Sequence, residues 1–315
     1  MFFRRQAIRK CALRPCSGGE ACYRDTPLIL GCQFCRFQKC IEVGMNIKAL
    51  LQKTSLESLI NFISDVDFER CITFLNFYPK QAGYTIWNVV ENFPIEYIHR
   101  SQPLNYRCWL FLTAVSTIDF MKKFPFVFLS NSHDQTIILR KKFVKVASFC
   151  EAFRVYLFRD KQLAFPDGSS ILIEGLDSEL GDRIKYRLVV TFFELHITNE
   201  EFLLLLVLLF SNPGCFLEAG IQSLLNFHLP FTIESLSQTG SRLLSAYQNY
   251  YSSSLLEYCM LTYLKNGPTR FAELLDVFQV VGQHYEDLNR YFVLLQLTNP
   301  EFQLDEIVKE GFNLL

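Results

Sequence analysis

From about residue 60 to the C-terminus, apolar positions recur at helical spacing, and nearly every predicted element is a helix. The longest apolar run, FLLLLVLLF at 202–210, is apolar on all sides, which predicts a helix in the middle of the fold rather than on its surface. Its nine residues fall well short of the ~20 needed to cross a bilayer, so no membrane span is expected. Thr198 and Asn199 stand before it as caps, Glu200 and Glu201 fill its first turn, and Pro213-Gly214 forms its stop. Upstream, Thr117 to Phe158 reads as an apolar helix ending near Pro125, a turn around Ser130 to His133, and a long helix opening on Asp134. The Asp134 carboxylate would satisfy free N–H groups as an N-cap or first-turn acid. The helical period breaks over residues 154–175, where Pro166-Asp167-Gly168 between two apolar runs predicts a β-hairpin.

The first 45 residues follow a different logic. Cys16, Cys22, Cys32 and Cys35 are spaced C-x5-C-x9-C-x2-C, with a basic, helix-compatible run, CRFQKC, growing from the last pair. Four thiolates at such spacing suit a tetrahedral zinc ion, with Zn–S distances of about 2.3 Å. Cys11 and Cys40 stand outside this framework, Cys40 as a packed thiol. Eight Lys/Arg against three Asp/Glu give residues 1–45 a net charge of +5, which leaves −6 for the rest of a chain whose total is −1. A basic head on a mildly acidic body fits a segment facing nucleic acid, with Arg4, Arg5, Arg9, Lys10, Arg36 and Lys39 as the candidate DNA-binding cations.

Half of the 315 residues are hydrophobic and 31 are Phe, ample for a large core. Eleven dispersed cysteines without an N-x-[ST] sequon suit reduced thiols better than a disulfide framework. No catalytic constellation is present: there is no phosphate-cradling Gly-rich loop, no G-x-S-x-G and no H-E-x-x-H, so no enzyme is expected. His196, His228 and His284 show no metal-ligand spacing.

Together FFRR (Phe2 to Arg5), the cysteine framework, CRFQKC and the following IEVGM resemble the second half of a nuclear hormone receptor DNA-binding domain, of the divergent type found in nematodes. Met1 falls midway through that family's recognition helix, and the cysteines of the family's first zinc module are absent from this sequence. Further on, Phe120, Lys122, Pro125, Asp134 and Gln135 match the helix 3 to helix 5 signature of the family's ligand-binding domain, with Val127 and Ser130 where it has an aromatic residue and a leucine. The His196 to Gly214 stretch resembles helix 8, and residues 267–297 resemble the long helix 10/11 that commonly forms the dimer surface. The C-terminus resembles the activation helix, with Leu304, Glu306, Ile307 and Val308 in register and Gln303 replacing the first hydrophobe.

The resemblance implies a mainly α fold: a small zinc module (1–45), a hinge (46–60), and a three-layer α-helical sandwich with one β-hairpin (61–315). It implies one zinc ion held by the four cysteines, DNA as a partner, and a ligand-modulated transcription factor acting in the nucleus. Lys122 and Glu306 would clamp the two ends of a coactivator or corepressor helix. Arg154 would anchor a ligand carbonyl or carboxylate, or else pair with Glu151 as a structural arginine. The pocket would take a lipophilic molecule, or be filled by the protein's own Phe side chains. Homo- or heterodimers are expected. The alternative is a truncated receptor that does not read DNA and regulates partner receptors by dimerisation.

Overall fold

The computed structural model of the chain describes residues 2–7, 13, 16, 22, 32–45, 55–91, 94–173, 175–212 and 236–314. Two short helices, α1 (Phe2–Ala7) and α2 (Gln33–Glu42), belong to the N-terminal module. The larger domain opens with α3 (Leu56–Asn76), whose N-cap Ser55 accepts from Ser58 N at 3.2 Å. Strands β1 (Phe77–Pro79) and β2 (Tyr97–His99) pair antiparallel, Tyr78 opposite Ile98, and between them lies α4 (Ile86–Glu91). There follow α5 (Tyr106–Lys122), α6 (Pro125–Phe128), α7 (Ser132–Leu157), α8 (Ser178–Leu195), α9 (Asn199–Ser211), α10 (Gln238–Tyr263), α11 (Gly267–Thr298) and α12 (Glu306–Gly311).

These helices form the expected three layers. Helices α7 and α9 run through the middle, α3 and α5 cover one side, and α8 and α11 cover the other. The 202–210 run is buried along its entire length, as its lack of a polar face requires. Its start is a complete capping box: Thr198 accepts from Glu201 N, while the Glu201 carboxylate accepts from Thr198 N at 3.0 Å. Pro213 and Gly214, read as its stop, lie outside the described residues, as do residues 46–54 of the expected hinge.

Between α5 and α7 the turn is tighter than its sequence suggested. Helix α5 ends at Lys122, and Pro125 opens the single turn of α6, where its missing N–H costs nothing. Asn131, not Asp134, is the N-cap of α7, accepting from Asp134 N at 2.7 Å. Asp134, fully buried in the first turn, instead reaches the start of α10 and accepts from the backbone N (2.8 Å) and hydroxyl of Ser237. Gly240 permits this approach, because a Cβ there would stand 2.3 Å from Asp134 Oδ2.

The hairpin expected at Pro166 to Gly168 forms, reduced to a single bridge between Ala164 and Ser170. Its turn is fixed by Asp167, which accepts from Ser169 N and Oγ and from Trp109 Nε1 at 2.8 Å. Leu172 then buries against the core instead of extending the ladder. The β1–β2 pair occupies a stretch read from sequence as almost wholly helical.

The back of the sandwich is tied by Glu201. Fully buried, it accepts from Arg270 Nε and Nη2 (2.8 and 2.7 Å) and from Tyr263 OH (3.0 Å), joining α9 to α10 and α11. Removing one partner of such a pair strands a buried charge. Arg270→Met is expected to lower the stability of the folded chain by about 3–5 kcal/mol, read from the urea midpoint; a shift under 1 kcal/mol would show that water reaches Glu201.

Candidate functional site

The four framework cysteines converge although 19 residues separate the first from the last. All four Sγ atoms lie within 4.8 Å of one another, with Cys16 to Cys22 at 3.2 Å and Cys16 to Cys35 at 3.4 Å. A tetrahedron of thiolates about 2.3 Å from zinc has edges of about 3.8 Å, so the cluster needs only small adjustments to enclose one ion. None of the four is in a disulfide, and burial holds the Cys35 thiol well above its usual pKa; a divalent cation at the centre supplies the charge that keeps such sulfurs ionised. The donor set fits zinc. Cys40, partly buried on α2, stands outside the cluster.

Helix α2 grows from Cys32, and its inner face packs Phe37 on Phe3 of α1, with ring centroids 5.3 Å apart. On the outer face Arg36 is exposed with its guanidinium over the Phe2 ring, while Lys39 is exposed and pairs with Glu42 at 3.2 Å. Arg5 of α1 is exposed. Arg4 lies on α1, its side chain outside the described set; Arg9 and Lys10 lie wholly outside it. Gln38 turns the other way and donates to the Leu129 carbonyl, seating the module against the helical domain.

A second arrangement surrounds α12. Arg107 of α5 grips Asp305 with two bonds (3.2 and 3.3 Å), fixing the entry to the helix. Gly311 lies so close to α7 that an added Cβ would meet the Phe143 ring at 2.2 Å. Phe312 then packs on Phe292, centroids 4.4 Å apart. Glu306, expected at a clamp, is exposed and pairs with Lys309 at 2.8 Å. The carboxylate one turn further on, Glu310, is the one that accepts a backbone N–H, that of Ile86 at 2.9 Å. Lys122, at the end of α5, is buried and donates to the carbonyl of Val89. Burial pushes its ammonium down to a pKa of about 8, against the opposing pull of Asp119. Lys123 faces solvent more and pairs with Glu69 at 2.9 Å.

Between α5, α7, α11 and α12 lies a cavity of about 100 Å³, walled largely by Phe143, Phe165, Leu288, Phe292, Val308 and Phe312. Pockets that take drug-sized ligands span about 300–1,000 Å³, so this cavity, with four Phe rings in its wall, is small for one. Arg154 is not in the cavity wall: it bonds Glu151 (2.9 Å) and the Ala164 carbonyl, which ties α7 to the hairpin. Thr113, Ser148 and Glu151 line the cavity together with a fourth polar residue, His284 of α11. It is fully buried, neither ring nitrogen has a hydrogen-bond partner among the described residues, and burial with nearby Arg187 depresses its pKa to about 4. Sequence spacing offered no sign of it, since its neighbours come from other helices.

Comparison with known proteins accounts for both halves of the chain. The model of the ligand-binding domain of nuclear hormone receptor matches residues 92–298, and that of the double treble clef zinc finger, C4 type, matches residues 1–47. Nuclear hormone receptor family member nhr-167 of Caenorhabditis elegans is 38% identical over 99% of this chain and 90% of its own length. Family members nhr-9 and nhr-27 of the same organism are each 30% identical, over 98% and 97% of this chain and 88% and 84% of their own lengths. With a four-cysteine zinc finger and a ligand-binding domain in one sequence, this chain belongs to the nuclear hormone receptor family.

Proposed function

We propose that the protein is a ligand-modulated transcription factor that acts in the nucleus, holding DNA through its zinc module and coactivators through its helical domain. The observation that carries this reading is the pairing of a zinc-competent cysteine cluster, flanked by exposed Arg5, Arg36 and Lys39, with a docked C-terminal helix that walls an internal cavity. Cations of the module would meet phosphates, which gives affinity that falls steeply with salt. On the helical domain the clamp pair is Lys122 with Glu310, in place of Glu306. A cation answers the free carbonyls at a helix C-terminus and an anion the free N–H groups at its N-terminus.

Ligand control would act through α12, because Val308 and Phe312 wall the cavity while Glu310, on the same helix, faces outward to Ile86. His284 is the natural anchor for a small lipophilic molecule carrying one hydrogen-bonding group, since a buried imidazole without partners gains most from acquiring one. Arg154, tied to Glu151 and Ala164, serves the scaffold in this reading. Dimerisation would use α11, where Val293 and Leu297 are exposed apolar residues near its C-terminal end.

Two measurements test these statements. Purified chain should carry one zinc per molecule and prefer receptor half-site duplexes over scrambled ones at moderate salt. Cys32→Ser should lose both the metal and the preference, while thermal unfolding of the helical domain stays put. No preference in the zinc-loaded chain would sink the DNA-reading function.

The second concerns His284, whose native pKa of about 4 lies below the ordinary value of 6.5. The unfolded chain therefore binds the proton first, and stability falls as pH drops from 6.5 towards 4, by roughly 3 kcal/mol from this group. His284→Leu should flatten the stability profile in that window. An unchanged slope would mean that His284 does not meet the depressed environment assigned to it.

A further inference from the structure

Helix α4 is six residues long, too short to persist alone in water, yet it is held at both ends by charged side chains from distant parts of the chain. At its N-terminus Ile86 N–H donates to Glu310 of α12; near its C-terminus the Val89 carbonyl accepts from Lys122 of α5. Its apolar residues Ile86, Val89 and Val90 stand at i, i+3 and i+4, the spacing by which an amphipathic helix seats in a groove. Ile86 and Val89 are fully buried and Val90 half-buried against α5 and α7, while Trp87 faces solvent on the other side. Its fold is locally specified too: Thr85 and Asn88 cap one another reciprocally, with Asn88 N to Thr85 Oγ1 and Thr85 N to Asn88 Oδ1 both at 3.0 Å.

The way α4 is carried matters as much as its seat. Strands β1 and β2 pair at the base of the segment, and Lys80 closes it further, through its backbone N to the Glu96 carbonyl (2.9 Å) and its ammonium to the Glu96 carboxylate (2.8 Å). The α4 segment is thus closed at its own stem by the β1–β2 pairing, and its release would uncover Ile86 and Val89 together with the core residues they pack on.

We infer that α4 is a built-in occupant of the coactivator groove, an internal mimic of the partner helix that an external amphipathic helix of the form Leu-x-x-Leu-Leu must displace. This rests on the reading of Lys122 and Glu310 as the clamp. The two charges that would orient a partner are already engaged, in the matching polarity, by a segment of the same chain. Binding of a partner is therefore a competition, and the resident helix, being tethered, competes at high effective concentration. Its valines fill less of the groove than leucines, which leaves a better-fitting partner able to win.

The test uses the full chain and a fluorescent Leu-x-x-Leu-Leu peptide, read by anisotropy, with wild type compared to the double variant Ile86→Ser, Val89→Ser, which unseats α4. The expected result is a dissociation constant at least about tenfold tighter for the variant, abolished again when Lys122→Ala is added. Equal affinity for wild type and variant would overturn the internal mimic while leaving the groove standing. No binding by either would overturn the clamp reading as well. Should the double variant fail to fold, hydrogen exchange on wild type decides: saturating peptide should speed exchange of the amides of residues 86–91, and unchanged or slowed exchange there refutes displacement.

Discussion

An all-helical domain must dispose of helix ends. Each terminus leaves backbone groups without intrahelical partners, and wherever a terminus is buried something else must meet them. Four charged side chains do this work here. Asp134 meets the start of α10, Glu201 the start of its own α9, Glu310 the start of α4, and Lys122 the end of α4. Three of these join elements far apart in sequence, so the interactions that satisfy helix ends also fix which helices lie side by side. The hydrophobic effect supplies the drive for collapse, but it is non-directional; the buried charges select one arrangement of the helices.

The same logic makes α12 the pivot of the molecule. Its inner residue Val308 and the following Phe312 close the cavity, Gly311 brings its backbone against the Phe143 ring, and its outer residue Glu310 holds α4. Val308 lies in the same six-residue helix as Glu310, and Phe312 follows directly on its end, so cavity wall and α4 contact are covalently close. The cavity wall and the α4 contact are therefore two faces of one element.

How much of this could be read from the sequence depended on the range of the interactions. The zinc site was legible because its four ligands lie within 20 residues and because few chemistries tolerate that spacing. The central helix was legible because an apolar run without a polar side has only one place to go. Partners distant in sequence were not legible: the Ile86 contact spans 224 positions and the Lys122 contact 33. At the C-terminus the structure turns a second carboxylate, Glu310, onto a backbone N–H, one helical turn beyond the exposed Glu306 that the sequence pattern singled out. The pattern of two hydrophobes, a spacer and an acid also fits Ile307, Val308, Lys309 and Glu310, but Gly311 follows where a hydrophobe was sought. That glycine is required by the Phe143 ring, which occupies the space a side chain would need. Helix α4 offered only six residues of weak pattern, and its seat comes entirely from elements outside it.

The cavity beneath α12 and the seat beside it are both narrowed or occupied by the chain's own residues. Phe143, Phe165, Phe292 and Phe312 narrow the cavity to about 100 Å³, and α4 lies over Lys122 and Glu310. Arg107, Phe292 and Tyr285 hold α12 in its docked position through Asp305, Phe312 and the Gly311 carbonyl. A ligand entering such a site has less to gain by ordering α12 than by repacking the rings beneath it. Any regulation through this cavity then works by loosening or tightening a helix that is already in place, and the sign of the response depends on whether the incoming molecule supports Phe312 or pushes it outward.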